Sequence, residues 1–176
     1  TKNIINIIDY LSKLEKCNVL DILDSQGKSI IYPTIISDNF DLLKYLIKNN
    51  IDTDKFTSLY TLHPFINCYI YETINKSGKN KYKMSEFLWE NIKDTHDFSS
   101  TNKYAENLAF NIMRTRLITD NGNLELELDI LKRNTMWNNV NVDKVSILNI
   151  LVELSFDTYH KVIKNIKIDI LQKDTD

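Results

Sequence analysis

The chain is poor in the residues that build tight turns and phosphate-binding loops. Its 176 residues include only three glycines and two prolines, which leaves little for the hairpin turns of a β-sandwich. A Gly-rich loop that cradles a nucleotide phosphate would also be hard to build from three glycines. The composition therefore argues against all-β folds and against nucleotide-binding enzymes.

Cysteine and charge of one sign are scarce as well. Cys17 and Cys68 are the only cysteines. They are far apart in the sequence and lie in apolar helical contexts, which suits free buried thiols in a reducing compartment. The formal net charge is −2 at pH 7, so the chain has no basic excess with which to neutralise phosphates. We therefore expect no nucleic-acid partner.

Long apolar runs are missing too. The most apolar stretches, residues 4–8 and 147–154, contain polar side chains and are far too short to cross a bilayer. We expect no membrane partner and a cytoplasmic location, which is the host-cell cytoplasm if the chain comes from a pathogen. Since the sequence opens at Thr1 without an initiator Met, we interpret it as a fragment of a longer chain.

What the sequence does have is apolar residues at helical spacing, in short windows separated by polar turns. The windows cover residues 3–14, 40–47, 63–74, 84–93, 104–117, 124–133, 147–154 and 158–166. Residues 124–130 alternate like a strand, but Asp and Glu are poor strand residues and the leucines share one helical face, so we predict a helix there. Short helices joined by polar turns predict helix hairpins in an all-α fold.

A gapless alignment of the chain with itself indicates an internal repeat. Residues 29–52 match residues 146–169. Each segment begins with a serine that can cap a helix, continues through an apolar helix, a turn and a second amphipathic helix, and ends at Ile-Asp. The spacing leaves room for two further units between them.

These segments resemble ankyrin repeats. Ser29-Ile-Ile-Tyr32 stands in place of the family's opening Thr-Pro-Leu-His, Asp24-Ser-Gln-Gly27 is similar to its Asp-x-x-Gly finger, and Asn50-Ile-Asp52 replaces Gly-Ala-Asp. Tyr60-Thr-Leu-His63 would open a second unit. The resemblance implies a single domain over residues 1–176, a short α-solenoid of helix-turn-helix repeats. It would have a partial leading repeat at about 1–23 and repeats at about 24–53, 54–98, 99–138 and 139–176.

The sequence departs from the family pattern at the small alanines that let paired helices approach closely. Thr34, Ile35, Leu151 and Val152 stand at those sites, and each overpacked site costs about 1–3 kcal/mol unless its neighbours adjust. Degenerate repeats of this kind are similar to those of poxviruses, giant viruses and some intracellular bacteria. That similarity implies a pathogen factor that binds a host protein.

Residue types with catalytic chemistry are scattered. His63, His96 and His160 share no helix face with cysteines or carboxylates at metal-ligand spacing, and we expect His63 to bond its own turn. Asp120-Asn-Gly-Asn123 resembles part of a calcium loop but lacks the later ligands, so we interpret it as a turn between helices. We expect no catalytic site, no metal, no cofactor and no small-molecule substrate.

In ankyrin-type arrays a partner binds at the finger tips and on the inner face of the first helices. The candidate partner-binding residues are Asp54, Lys55, Phe56, Trp137, Asn139, Asp143 and Lys144, with Asn141 in the same finger. Trp89 fits core packing better than binding. The four lysines within residues 76–83 fit either an exposed insertion or a contact with an acidic partner.

The predicted function is a non-catalytic protein–protein interaction scaffold. The alternative is a structural helical domain, such as a virion or assembly component, that self-associates.

Overall fold

The computed structural model describes residues 1–14, 19–25, 27–51, 53, 63–79, 81–102, 104–134, 136–137 and 139–166. Across these residues the regular structure is helical, apart from one isolated antiparallel bridge between Val140 and Ser146. The predicted all-α fold class is confirmed. The chain divides into two compact units, unit 1 over Thr1–Asp97 and unit 2 over Phe98–Asp176.

Unit 1 is built from short helices. α1 spans Lys2–Leu14, α2 Ile31–Ile36, α3 Phe40–Lys48, α4 Pro64–Asn75 and α5 Lys83–Ile92, with a single 3-10 turn at Val19–Asp21. α2 packs against α3 and α4, α4 packs against α5, and α3 also lies against α1 and α5. Fully buried side chains fill the core of this unit, among them Ile31, Ile35, Leu43, Leu46, Phe65, Tyr69 and Leu88.

Unit 2 follows the same plan. α6 spans Leu108–Thr119, α7 Leu124–Arg133, α8 Ile147–Glu153 and α9 Phe156–Asn165. α6 packs against both α7 and α8. The side chains buried here include Ile112, Met113, Ile130, Leu131, Ile147, Leu151 and Val162.

Each of the eight predicted windows contains a helix, and one helix starts clearly later than predicted. The window at 124–133 is helical over the same residues, as α7. The window at 104–117 does not begin at Tyr104, because α6 starts at Leu108. Asn107 accepts the Phe110 N–H at 2.9 Å and so fixes that start as the N-cap.

Both halves of the predicted internal repeat contain a helix pair within the described residues, α2 with α3 and α8 with α9. The two predicted serine caps differ in the positions that the serines occupy. Ser146 accepts the Asn149 N–H at 3.2 Å and Asn149 accepts the Ser146 N–H at 2.8 Å, a complete capping box. Ser29 stands one residue before the N-cap position of α2, which is Ile30, and its hydroxyl accepts the N–H of Ile31, the first residue of the helix, at 3.3 Å.

Of the four bulky residues at the expected alanine sites, three are buried and one is exposed to solvent. Thr34, Ile35 and Leu151 are buried, with exposures of 2%, 0% and 1%. Thr34 also donates its hydroxyl to the Ile30 carbonyl at 2.7 Å. Val152 was wrongly assigned to a packed site, since 74% of it is exposed. α8 turns that side chain to solvent, so it overpacks nothing.

The start of α5 is held by a side chain from α4. Tyr82 occupies the N-cap position of α5 and makes no side-chain cap. Glu72, which is fully buried, accepts the Met84 N–H at 3.0 Å, the Ser85 N–H at 2.9 Å and the Ser85 hydroxyl at 2.6 Å. A carboxylate at a helix N-terminus satisfies N–H groups that have no partner within the helix and suits the helix dipole. Glu72 therefore fastens α5 to α4.

Candidate interaction surface

Within the described residues, three turns share one hydrogen-bond pattern. They cover residues 24–28, 102–106 and 141–145 and are called the finger turns below. In each, the side-chain oxygen of the first residue accepts the backbone N–H of the fifth, at 2.8 Å for Asp24 and Lys28, 3.1 Å for Asn102 and Glu106, and 3.0 Å for Asn141 and Val145. The N–H of the first residue donates back to the carbonyl of the fifth, at 2.9, 3.0 and 2.9 Å. The polar first residue thus closes each turn.

The fourth residue of every finger turn has a left-handed backbone. Its φ is +73° at Gly27, +60° at Ala105 and +62° at Lys144. Glycine adopts this conformation freely, whereas an L-residue with a side chain is strained by about 1–2 kcal/mol. Alanine and lysine are held there by the hydrogen bonds of the turn.

A residue that supports the next helix start follows each finger turn at the same distance. Ser29, Asn107 and Ser146 come five positions after the first residue of the turn, and each accepts a backbone N–H of the following helix, at 3.3, 2.9 and 3.2 Å. The turn at 102–106 was missed from the sequence, which assigned part of it to a helix. The signal for it was a pair of asparagines at this spacing, Asn102 and Asn107.

His63 takes the equivalent place at the start of α4. Its Nδ1 accepts the Phe65 N–H at 3.1 Å, and Pro64 is the first residue of the helix. His63 therefore bonds within its own turn, as predicted, and it stands at the N-cap position directly before Pro64.

The two finger turns of unit 2 are joined to each other. The Val142 N–H donates to the Tyr104 carbonyl at 3.0 Å. The carboxylate of Glu106, which is only 3% exposed, contacts both of these turns. It accepts from Arg114 at 2.8 Å, from Asn141 at 3.2 Å and from Asn102 at 3.3 Å. Because Asn102 and Asn141 open the two turns, one buried carboxylate fixes both of them.

Large apolar side chains are exposed to solvent on or beside these joined turns. Tyr104 is 46% exposed, Val140 50% and Val142 59%. Such side chains add nothing to a core, and an exposed apolar patch on a rigid base is typical of a protein-binding site. Tyr104, Val140 and Val142, with the polar residues beside them, are called the finger surface below.

The candidate residues of the second half of the chain lie on or next to the finger surface. Asp143 and Lys144 are exposed on the finger turn at 141–145, and Asn139 is exposed just before it. Trp137 is half-buried. The other three candidates, Asp54, Lys55 and Phe56, lie outside the described residues, as does Cys17. Sequence reasoning missed the apolar members of this surface because an isolated valine or tyrosine carries no signal of exposure.

A buried polar cluster in unit 1 is the arrangement closest to reactive chemistry. Cys68 lies 3.6 Å from the Ser85 hydroxyl and 3.9 Å from Glu72. Burial, helped by the charge of Glu72, raises the pKa of the Cys68 thiol far above its ordinary value. Burial lowers the pKa of Lys76, but its hydrogen bonds to Asp38 and Glu72 outweigh that effect and raise it. A protonated, buried thiol is a poor nucleophile, so the cluster supports structure.

The described residues contain no group of three or more His, Cys, Asp or Glu that could hold a metal ion. Trp89 is 2% exposed and its ring centroid lies 5.6 Å from that of Phe65, so it belongs to the core as predicted. Within the described helices, none combines the length and apolar character needed to cross a bilayer.

Comparison of the chain with protein-family models, with curated protein sequences and with solved structures finds no match.

Proposed function

We propose that this chain is a short array of degenerate ankyrin-type repeats that binds another protein and catalyses no reaction. Each pair of helices would be one repeat, with α2, α4, α6 and α8 as first helices and α3, α5, α7 and α9 as second helices. α1 would be the second helix of a partial leading repeat.

The packing within each unit supports this proposal. In an ankyrin-type stack, first helices lie beside first helices and second helices beside second helices. In unit 1, α2 packs on α4, and α3 lies against both α1 and α5. In unit 2, α6 packs on α8. The finger turns recur before first helices and have the hydrogen bonds that an Asp-x-x-Gly turn requires.

The observation that carries the binding function is the finger surface of unit 2. The buried carboxylate of Glu106 holds two joined turns, and Tyr104, Val140 and Val142 are exposed to solvent on or beside them. A rigid surface loses little conformational entropy when it binds, and tyrosine is among the residues that dominate interfaces. The partner would be a protein in the cytoplasm, where the buried Cys68 stays a free thiol.

Site-specific photo-crosslinking tests the proposal. A photoreactive amino acid replaces Val142 in one variant and Lys132, which is exposed on α7, in a control variant. After irradiation in a cell lysate, we expect one dominant adduct with another protein from position 142 and none from position 132. Trp137→Ala and Asn139→Ala should weaken that adduct. Equal labelling from both positions would contradict the proposal.

A second candidate is a structural helical domain that self-associates, and α1 favours it. Ile7, Tyr10 and Leu14 are 56%, 61% and 61% exposed, which leaves an apolar side of this helix in solvent. Light scattering over a range of protein concentrations separates the two candidates. A stable oligomer that Ile7→Lys dissolves, with adducts only between copies of the chain, would support self-association over capture of a different protein.

A further inference from the structure

The hairpin loops of unit 1 bring two helix ends together. Lys76, which follows α4, pairs with Asp38, which lies two residues after the end of α2. Since α2 and α4 also pack along each other, their C-terminal ends lie side by side. This region, made of Ile36, Asp38, Phe40, Ile74 and residues 76–79 and 81–84, is called the connection end below.

The connection end exposes apolar surface. Ile36 and Ile74 are 50% and 65% exposed, and each lies two residues before a member of the Asp38–Lys76 pair. Beside them is an open cavity of about 390 Å³ with Phe40 and Met84 among its lining residues. Scattered surface isoleucines are ordinary, but two on adjacent helix ends beside a cavity form a patch that can accept an apolar side chain.

The charge around this patch is positive. Glu72 and Asp38 are both engaged by Lys76. No carboxylate among the described residues pairs with Lys79, Lys81 or Lys83. The Lys83 ammonium lies 4.5 Å from the centroid of the Phe40 ring, and both residues line the cavity. The Lys44 ammonium lies 4.3 Å from the same centroid and pairs with Asp41 at 3.4 Å. The rim of the cavity therefore presents the Lys83 ammonium above an aromatic floor.

We propose that the connection end is a docking surface for an acidic peptide segment that carries a large apolar side chain. The apolar side chain would cover Ile36 and Ile74 and enter the cavity over Phe40. Carboxylates on either side of it would pair with Lys79, Lys81 and Lys83. Complementary charge fixes orientation and speeds encounter, while apolar burial supplies most of the affinity. A nucleic-acid strand fits worse, because its phosphates would leave both isoleucines uncovered.

This proposal goes beyond the finger surface and does not depend on it. Selection from a random-peptide library displayed on phage, with the full chain as bait, tests it without a known partner. We expect enriched peptides to share Asp or Glu around Leu, Ile or Phe. For a selected peptide, the Ile36→Ser/Ile74→Ser variant should weaken binding about tenfold, as expected for losing roughly one buried aliphatic side chain. Lys81→Glu/Lys83→Glu should weaken it similarly and remove most of its salt dependence.

Matched controls come from unit 2. Ile118 and Val152 are each 74% exposed near the ends of α6 and α8, so Ile118→Ser/Val152→Ser removes the same kind of side chain elsewhere. Lys161→Glu/Lys164→Glu makes the same charge change on α9. Neither control should alter the affinity. The proposal is overturned if no acidic–apolar consensus appears, or if both controls weaken binding as much as the connection-end variants. It is also overturned if a single-stranded oligonucleotide binds more tightly than any peptide and ignores the loss of Ile36 and Ile74.

Discussion

Unit 1 and unit 2 each close a helix pair over a fully buried glutamate, but the two carboxylates are satisfied by different groups. Glu72 in α4 accepts backbone N–H groups and a hydroxyl from the start of α5, with Lys76 at 3.3 Å. Glu127 in α7 lies 3.1 Å from the guanidinium of Arg116 in α6. One hairpin is therefore held by a helix N-terminus and the other by an ion pair. The two helix pairs therefore satisfy a buried carboxylate by different contacts.

The largest effect is expected from Glu72. Glu72→Ala leaves the Met84 and Ser85 N–H groups at the start of α5 without their acceptor and removes one of the two carboxylates that pair with Lys76. We expect unit 1 to lose about 4 kcal/mol of stability. Urea unfolding followed by fluorescence measures this loss. The chain has two tryptophans, so a Trp137→Phe background leaves Trp89 in unit 1 as the only reporter.

Glu72→Gln sharpens the same experiment. Both carboxylate oxygens of Glu72 accept hydrogen bonds, whereas a glutamine side chain has a single acceptor oxygen. We expect the stability of unit 1 in this variant to lie between that of the native chain and that of Glu72→Ala. Alkylation of Cys68 in a Cys17→Ser background should accelerate in the same order, because opening of unit 1 exposes that buried thiol. Native stability in Glu72→Gln would show that charge and acceptor count are unimportant here.

In unit 2 we expect a smaller loss for the ion pair. Arg116→Met removes the guanidinium that lies 3.1 Å from the buried Glu127 carboxylate and should cost about 3 kcal/mol. Glu72 also accepts two N–H groups and a hydroxyl from the start of α5, so the loss for Arg116→Met should be less than for Glu72→Ala. Trp137 fluorescence in a Trp89→Phe background reports on unit 2. The double variant Arg116→Met/Glu127→Met should recover most of the loss, because apolar side chains of similar volume remove both charges together.

Sequence reasoning identified features that depend on residues close together in the chain and missed contacts between residues far apart in it. The bounds of α7 and the serine cap at Ser146 follow from periodicity and from residue types within one turn of helix. The contact between Glu72 and Ser85 joins two helices that are separated by a loop. No pattern along the sequence predicts it. The finger turn at 102–106 lies between these cases. Its spacing was visible, but Ala105 stood where a glycine marks the same turn at Gly27.

The finger turns give a third, smaller effect that compares the two fingers of unit 2. Asn102→Ala and Asn141→Ala each remove the side-chain acceptor that closes a turn and a donor to Glu106. We expect each to lower the stability of unit 2 by about 1–2 kcal/mol. Each should also reduce photo-crosslinking from position 142, because both turns depend on the same carboxylate. If Asn102→Ala leaves crosslinking intact while Asn141→Ala abolishes it, the two fingers are independent.

The smallest effect concerns the fourth residue of the finger turns, and it has opposite signs in the two units. Gly27→Ala puts a side chain on a backbone with φ of +73° and should destabilise unit 1 by about 1 kcal/mol. Ala105→Gly relieves the same strain in unit 2. Its gain is reduced by the greater freedom of glycine in the unfolded chain, so we expect a net stabilisation of only about 0.5 kcal/mol.

Ala109→Gly is the matched control for Ala105→Gly, since these are the only alanines in the chain. Ala109 is buried in α6, where glycine should cost about 1 kcal/mol. Trp137 fluorescence measures both variants against the native chain. If Ala105→Gly destabilised unit 2 as much as Ala109→Gly does, the positive φ at Ala105 would not be strained. The likeness between the finger turns at 24–28 and 102–106 would then be one of hydrogen bonds alone.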